Sequence, residues 1–376
     1  MPLQSKRFKV LFLALCCLVI LMSFLAVSSR AVPETSTVSH RTISGGTTLS
    51  TYRQHRNAVS AVAWSPDGKE LASASYDTTV QVWDPITGQR FTTYRGHTKW
   101  VTAVAWSPDG KELATASYDK TVQVWEAATG KHLLTYRGHA DTVTAVAWSP
   151  DGSHLASASF DTTVQVWQSV TGQLELTYHG HANWVTAVAW SPDGKALASA
   201  GLDTTVQIWN ASTGKTRLTY IGHVASITAI AWSPDSTYLA SVGFDKSVQV
   251  WNAATGRPLW IYCCQGWING IAWSPDGRSV ASANTSRTVQ VRDSMTGTPT
   301  LTYRTHRSEV LAVAWSPDGT RLASGDDDGI VRIWQAPVAC PCTSGATGHR
   351  VEEVGESHVL AWIKLRARRV YGEFES

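Results

Sequence analysis

The chain has 376 residues, 43% hydrophobic and 16% charged, enough for two ordinary domains by length and too apolar for a disordered chain. Its formal net charge is only +3, and no Lys/Arg cluster interrupts its central part, which excludes a nucleic-acid footprint readable from the sequence. Six cysteines fall in close pairs, Cys16/Cys17, Cys263/Cys264 and Cys340/Cys342, too near in sequence to bridge within a pair, so only a link between the last two groups is open. Zinc at Cys340, Cys342, His349 and His358 is disfavoured, because the spacing fits no common structural site.

The N-terminus carries Lys6, Arg7 and Lys9, followed by an apolar run of 18 residues from Val10 to Val27. As a helix this run is roughly 27 Å long at about 1.5 Å per residue, close to the ~30 Å of a bilayer core. Residues 1–27 are therefore expected to be an uncleaved anchor. A cleaved secretory signal ending near Ala26-Val27-Ser28 is the alternative. Either reading places the remainder outside the cytoplasm, by the positive-inside rule. Residues 28–42 are polar and Ser/Thr-rich and read as a flexible linker.

From residue 43 to 337 one unit recurs seven times. Tyr52, Tyr94, Tyr136, Tyr178, Tyr220 and Tyr262 stand 42 positions apart, and Tyr303 follows one residue early. Such a period makes each copy a supersecondary unit that buries its apolar face only against its neighbours. In the second copy the spacing predicts strands over Trp100–Trp106, Leu113–Ser117, Thr121–Trp125 and Lys131–Tyr136, with Ser107-Pro108-Asp109-Gly110 and Thr129-Gly130 as turns. The fourth strand is the most polar and is expected outermost. The fold class is all-β: a seven-bladed propeller of four-stranded antiparallel blades. The seventh copy stops after three strands, at Trp334, and residues 46–52 repeat the register of 130–136. The N-terminal strand is thus expected to complete the last blade and remove the open edge. Residues 338–376 match no part of the repeat and form a tail; 359–371 reads either as a basic helix or as loosely attached chain.

Each intact copy also repeats a His, a Ser or Thr, an Asp and a Trp. The sets are His55/Ser73/Asp77/Trp83, His97/Thr115/Asp119/Trp125, His139/Ser157/Asp161/Trp167, His181/Ser199/Asp203/Trp209, His223/Ser241/Asp245/Trp251 and His306/Ser324/Asp328/Trp334. One such set would invite a hydrolase triad. Six on one scaffold point instead to the same structural support in every unit, since an enzyme needs a single strained nucleophile. With its Gly-His pairs, Ala-x-Trp-Ser-Pro-Asp-Gly turns and Val-Gln-Val-Trp strands, the chain resembles the WD40-repeat family, taken as a bacterial-type exported or membrane-anchored member. The resemblance covers about three quarters of the chain. It implies that the His/Ser/Asp/Trp sets are hydrogen-bond chains joining loop to strands. The sixth copy departs from it: Cys263-Cys264-Gln265-Gly266 replaces the Gly-His region, Ser286 stands for Asp and Arg292 for Trp. That blade is expected to lack the network and to be the least protected.

Large aromatics recur in two turns of the unit: Tyr76, Tyr118, Phe160 and Phe244 before the Asp, and Trp100, Trp184 and Trp267 after the His. In the resembled family these positions crown one face of the ring, where proteins dock. Aromatic side chains in exposed turns point the same way, because aromatic anchors dominate interface energy. Packing of the rings on one another is the alternative. The function expected is a non-catalytic scaffold for an unidentified protein or peptide partner. It requires no cofactor, metal or nucleic acid, and the ring itself is expected to be monomeric. A small-ligand or hydrolytic propeller using the central channel is the alternative, but no phosphate loop, dinucleotide glycine pattern or zincin helix supports it.

Overall fold

The computed structural model describes residues 46–337, and every regular element among them is a β-strand. The strands form seven four-stranded antiparallel sheets. Six are consecutive meanders, at 59–94, 101–136, 143–178, 185–220, 227–263 and 268–303 (blades 1 to 6). In the second blade the strands run Val101–Trp106, Glu112–Ser117, Val122–Glu126 and His132–Tyr136, within a residue of the expected bounds. The seventh blade joins Val310–Trp315, Arg321–Asp326 and Val331–Gln335 to the N-terminal strand Thr48–Tyr52. Tyr52 lies opposite Val331 just as Tyr136 lies opposite Val122, so the completing strand holds the register of an ordinary fourth strand.

The first strands of neighbouring blades touch one another and form the inner wall. Their hydroxyls stitch that wall: Ser60 donates to the Val101 carbonyl, Thr102 to Val143, Thr144 to Val185, Thr186 to Ile227 and Thr228 to Ile268, at 2.6–2.7 Å. Asn269 Nδ2 continues to Val310 at 2.9 Å. Leu311 occupies the next such position and has no donor to offer, so the last junction lacks this stitch and is tied by Trp64 Nε1 to Ala314 O at 3.3 Å and by Arg321 to Gly68 O at 3.2 Å.

The core lies between blades. Ala72, Ala74, Val80 and Val82 of the first blade pack on Val101, Leu113 and Trp125 of the second, and the same clustering recurs around the ring. Each outer-strand Tyr reaches across the junction. Tyr94 stacks on Trp125 at 4.6 Å with 2° between the planes, and its hydroxyl donates to Gln123 Oε1 at 2.6 Å. A Cβ at Gly96 would collide with that hydroxyl and that amide oxygen, which is why glycine precedes His97.

In a meander the turns between second and third strands share one end of the blade with the links from fourth strand to next blade. Both therefore crown one face of the ring, while the Ser-Pro-Asp-Gly turns lie on the other. The expected single-pass membrane placement with an extracytoplasmic ring is corrected. Among the described residues no helix is long and apolar enough to cross a membrane, and residues 1–27, on which that expectation rested, lie outside the described residues. So do the linker 28–42, the tail 338–376, Cys340, Cys342, His349 and His358.

Candidate partner-docking face

Five of the six repeated side-chain sets form one chain of hydrogen bonds each as they stand, and the set of His306 does so with a different carboxylate. Trp83 Nε1 donates to Ser73 Oγ at 3.1 Å, Ser73 faces His55 Nε2 at 2.8 Å, and His55 Nδ1 faces Asp77 Oδ2 at 2.9 Å. An indole only donates and a carboxylate only accepts, which fixes Trp N–H to Ser and Nδ1–H to Asp; in a neutral imidazole Nε2 then accepts from the Ser O–H. The spacing is kept in the second to fifth blades, with His–Asp at 2.7–2.8 Å. Each carboxylate also takes backbone N–H groups: Asp77 accepts from Arg56 N at 2.9 Å and from Thr79 N at 3.0 Å. These bonds pin Thr78 at a φ of 70°, a left-handed turn that L residues rarely adopt. Burial opposes ionisation of Asp77, but hydrogen bonds from His55, Thr79 and Arg56 outweigh it and hold the carboxyl well below its usual range. The hydroxyls that a hydrolase would need as nucleophiles (Ser73, Thr115, Ser157, Ser199, Ser241 and Ser324) are all 0% exposed. No substrate reaches them in the folded ring.

The tryptophans of these sets prove to be core as much as network. Trp83, Trp125, Trp167, Trp209, Trp251 and Trp334 are fully buried, so none of them belongs to a surface site. Trp167 Nε1 donates to Ser157 and Trp209 Nε1 to Ser199, both at 3.2 Å, and Trp251 Nε1 donates to Ser241 at 3.1 Å. The same indoles stack on the outer-strand Tyr of the preceding blade: Trp167 on Tyr136 at 4.3 Å, Trp209 on Tyr178 at 4.4 Å and Trp251 on Tyr220 at 4.1 Å. The motif within one repeat accounts for their hydrogen bond alone. The structure adds that they fill the junctions between blades, a contact that a list of motifs within one repeat does not contain.

The seventh blade corrects one assignment. Asp328 is exposed, and His306 Nδ1 pairs instead with Asp326 Oδ2 at 2.7 Å, while Ser324 and Trp334 complete the chain at 2.6 and 3.1 Å. Asp326 stands where the other blades carry the last residue of the second strand, a Ser in the first three, and Arg332 where they carry Gln. The Arg332 guanidinium donates to Asp326 Oδ2 at 3.0 Å inside the sheet, with the Asp326 side chain fully buried. A buried cation needs a buried anion. This draws the network carboxylate two residues upstream.

The sixth blade has no His set, yet its junction is filled. Arg292 lies 3.2 Å from the centroid of the Tyr262 ring, in the place where other blades stack Trp on Tyr. Its guanidinium donates to Gly297 O at 2.9 Å and to Gln290 Oε1 at 3.0 Å. A planar guanidinium stacks as an indole does, so the blade lacks the network, as expected, while Arg292 occupies the stacking place of the Trp. Cys264 is buried beside it, and burial pushes its thiol up to about 11.

The crown aromatics both pack and remain exposed. Tyr76 stacks on Trp100 at 4.8 Å, Trp100 meets Tyr118 edge-on at 5.4 Å, and Tyr118 meets Phe160 at 6.1 Å. Phe160 stacks on Trp184 at 4.2 Å. These five rings form one arc across the first four blades, although Trp100 is 46% and Trp184 43% exposed. Phe244 and Trp267 form a separate tilted pair at 5.3 Å across the fifth and sixth blades. Leu202, at the position that would join the two groups, carries no ring.

Residues 172–210, 214–252, 256–293 and 297–335 match the WD domain, G-beta repeat (WD40), and residues 59–169 match the IFT122 first beta-propeller. Short stretches resemble curated proteins. A ribosome biogenesis protein WDR12 homolog of Nematostella vectensis is 50% identical over 46 residues, 12% of this chain and 11% of that protein. A probable cytosolic iron-sulfur protein assembly protein 1 of Mycosarcoma maydis is 42% identical over 60 residues, 16% of this chain and 13% of its own length. Its namesake in Cryptococcus neoformans is 53% identical over 32 residues, 8% of this chain and 7% of that protein. The chain thus spans about a tenth of the length of these relatives, little more than one repeat. All three are eukaryotic, so the bacterial-type qualifier finds no support. Seven blades in a closed ring and four matched repeats lead to one conclusion: this is a seven-bladed β-propeller that contains WD40 repeats.

Proposed function

We propose that the crown is a docking face for a protein partner and that the ring works as a non-catalytic scaffold. One observation carries this reading: five aromatic rings, braced against each other across four blades, still leave the two Trp side chains nearly half exposed. Rings already held in place lose little conformational freedom on binding, so the contact area they offer is used efficiently. The six hydrogen-bond sets brace the turns that carry them, and their sealed hydroxyls favour support over catalysis. The relatives' names describe assembly work, ribosome biogenesis and iron-sulfur protein assembly. Such work suits a platform, although the matched stretches carry the repeat and not the client. The residues taken as the independent ring are 43–337. Replacing Trp100 and Trp184 together by Ala is expected to abolish partner capture while Tm, measured by circular dichroism, moves by only a few degrees. A large loss of stability with capture retained would contradict the proposal.

A further inference from the structure

Resting on that reading of the crown, we infer that the partner presents an acidic segment, with carboxylates spaced between apolar or aromatic side chains. In sequence the cations that support this are a repeat length apart and form no cluster. The ring gathers them. Each outer-strand Tyr is followed by the first residue of the crown link, and this position holds Arg304, Arg53, Arg95, Arg137 and His179 at five successive junctions. All five are exposed. The next two junctions carry Ile221 and Cys263 instead. Arg95, Arg137 and His179 stand at the three junctions that the aromatic arc crosses, and Arg53 and Arg304 extend the basic rim past the arc's first ring. Among the described residues the four arginines of the rim take part in no ion pair, so their guanidinium donors are free for a ligand.

A guanidinium binds a carboxylate through two parallel N–H bonds, and arginines at four successive junctions offer a row of such forks. Apolar side chains between the carboxylates would meet Trp100 and Trp184. A single-stranded nucleic acid suits the face less well. Two pairs of the arc's rings already stack on each other, at 21° and 19°, which occupies ring faces that bases would need. The network carboxylates of Asp77, Asp119 and Asp161 lie just beneath the arc, 8–11% exposed, and Asp141 stands beside it. A phosphate chain would carry charge past all of them, whereas a peptide places carboxylates at the rim only.

The test uses the full-length protein and fluorescein-labelled dodecapeptides in which two Phe residues are set among Glu, among Gln or among Lys, with a dodecameric oligouridine as the fourth probe. Fluorescence anisotropy is expected to give the Glu peptide an affinity at least ~10-fold above the Gln peptide, an advantage that shrinks as salt is raised. Arg95→Glu with Arg137→Glu should remove that advantage, leave the Gln peptide unaffected and leave Tm unchanged. Equal binding of the Gln peptide, preference for the Lys peptide or oligouridine, or binding of none of the four overturns the inference. If Glu and Gln peptides bind equally and both are lost in the Trp100→Ala/Trp184→Ala variant, the acidic preference falls while the docking face stands. If peptide binding survives that variant, the docking face itself falls.

Discussion

Asp326, and not Asp328, closes the seventh hydrogen-bond chain, and the two make opposite predictions. Asp326→Asn leaves Arg332 buried without its counter-charge and is expected to cost roughly 3–5 kcal/mol in chemical denaturation. Asp328→Asn changes an exposed turn and should stay within about 0.5 kcal/mol. Equal effects would contradict the assignment. The same residues shape the acid limb of stability. His306 is held below its usual 6.5, first by burial and then by Arg332, with Asp326 acting against both. The unfolded chain therefore takes up that proton first, and the contribution of His306 is complete above pH 6.5 and fades as pH falls below it. The network carboxylates, such as Asp77 and Asp119, sit below the usual 3.8, so their contribution is complete above about pH 4 and is lost as pH falls toward their lowered values. Urea midpoints measured across this range should show a shallow decline beginning near pH 6.5 and a steep one below 4. His306→Gln should remove the first stage, and a flat profile between 6.5 and 5 in the unmodified protein would contradict it.

The strands were legible because the turn chemistry repeats: Gly110, at a φ of 71°, closes a turn tied by Ser107 and Asp109, and the copies repeat it. Alignment by period was also what misled. It placed Asp328 opposite Asp77, although Arg332 at the Gln position was the signal that the carboxylate would move inward. It read Arg292 as the loss of a Trp, although a guanidinium one repeat after a stacked indole, facing Tyr262, can stack as well. It gives the crown positions and packing of their rings as an alternative, but not which rings pair, since Tyr76 and Trp100 belong to different blades. For the same reason it gave Trp167, Trp209 and Trp251 their hydrogen bonds and not their stacking partners. The N-terminal strand was legible from register alone, and its removal tests the closure. Deleting 48–52 strips the seventh blade of its fourth strand and Trp83 of the Tyr52 ring stacked at 4.1 Å. That junction lacks the inner-wall hydroxyl bond, since Leu311 has no donor, and keeps the Trp64 Nε1 bond to Ala314 O at 3.3 Å and the Arg321 bond to Gly68 O at 3.2 Å. Calorimetry should show one cooperative transition lowered by about 10 °C or more. An unchanged Tm would mean that the ring closes by other means.

At the scale of the molecule, the described chain enters the ring at Gly46 and leaves it at Pro337 on the face opposite the crown, because a fourth strand begins where a third strand ends. The crown is thus clear of both ends of the ring. The opposite face carries isolated apolar residues in its turns, Ile86 at 73% and Val170 at 87% exposed, which give a matched control. The most direct measurement compares partners retained by the full-length protein, by the Trp100→Ala/Trp184→Ala variant and by an Ile86→Ser/Val170→Ser variant, each checked by its Tm. Loss of a specific partner in the crown variant alone, at near-unchanged Tm, is the predicted result. Retention by the crown variant, or loss through the opposite face, would contradict the account.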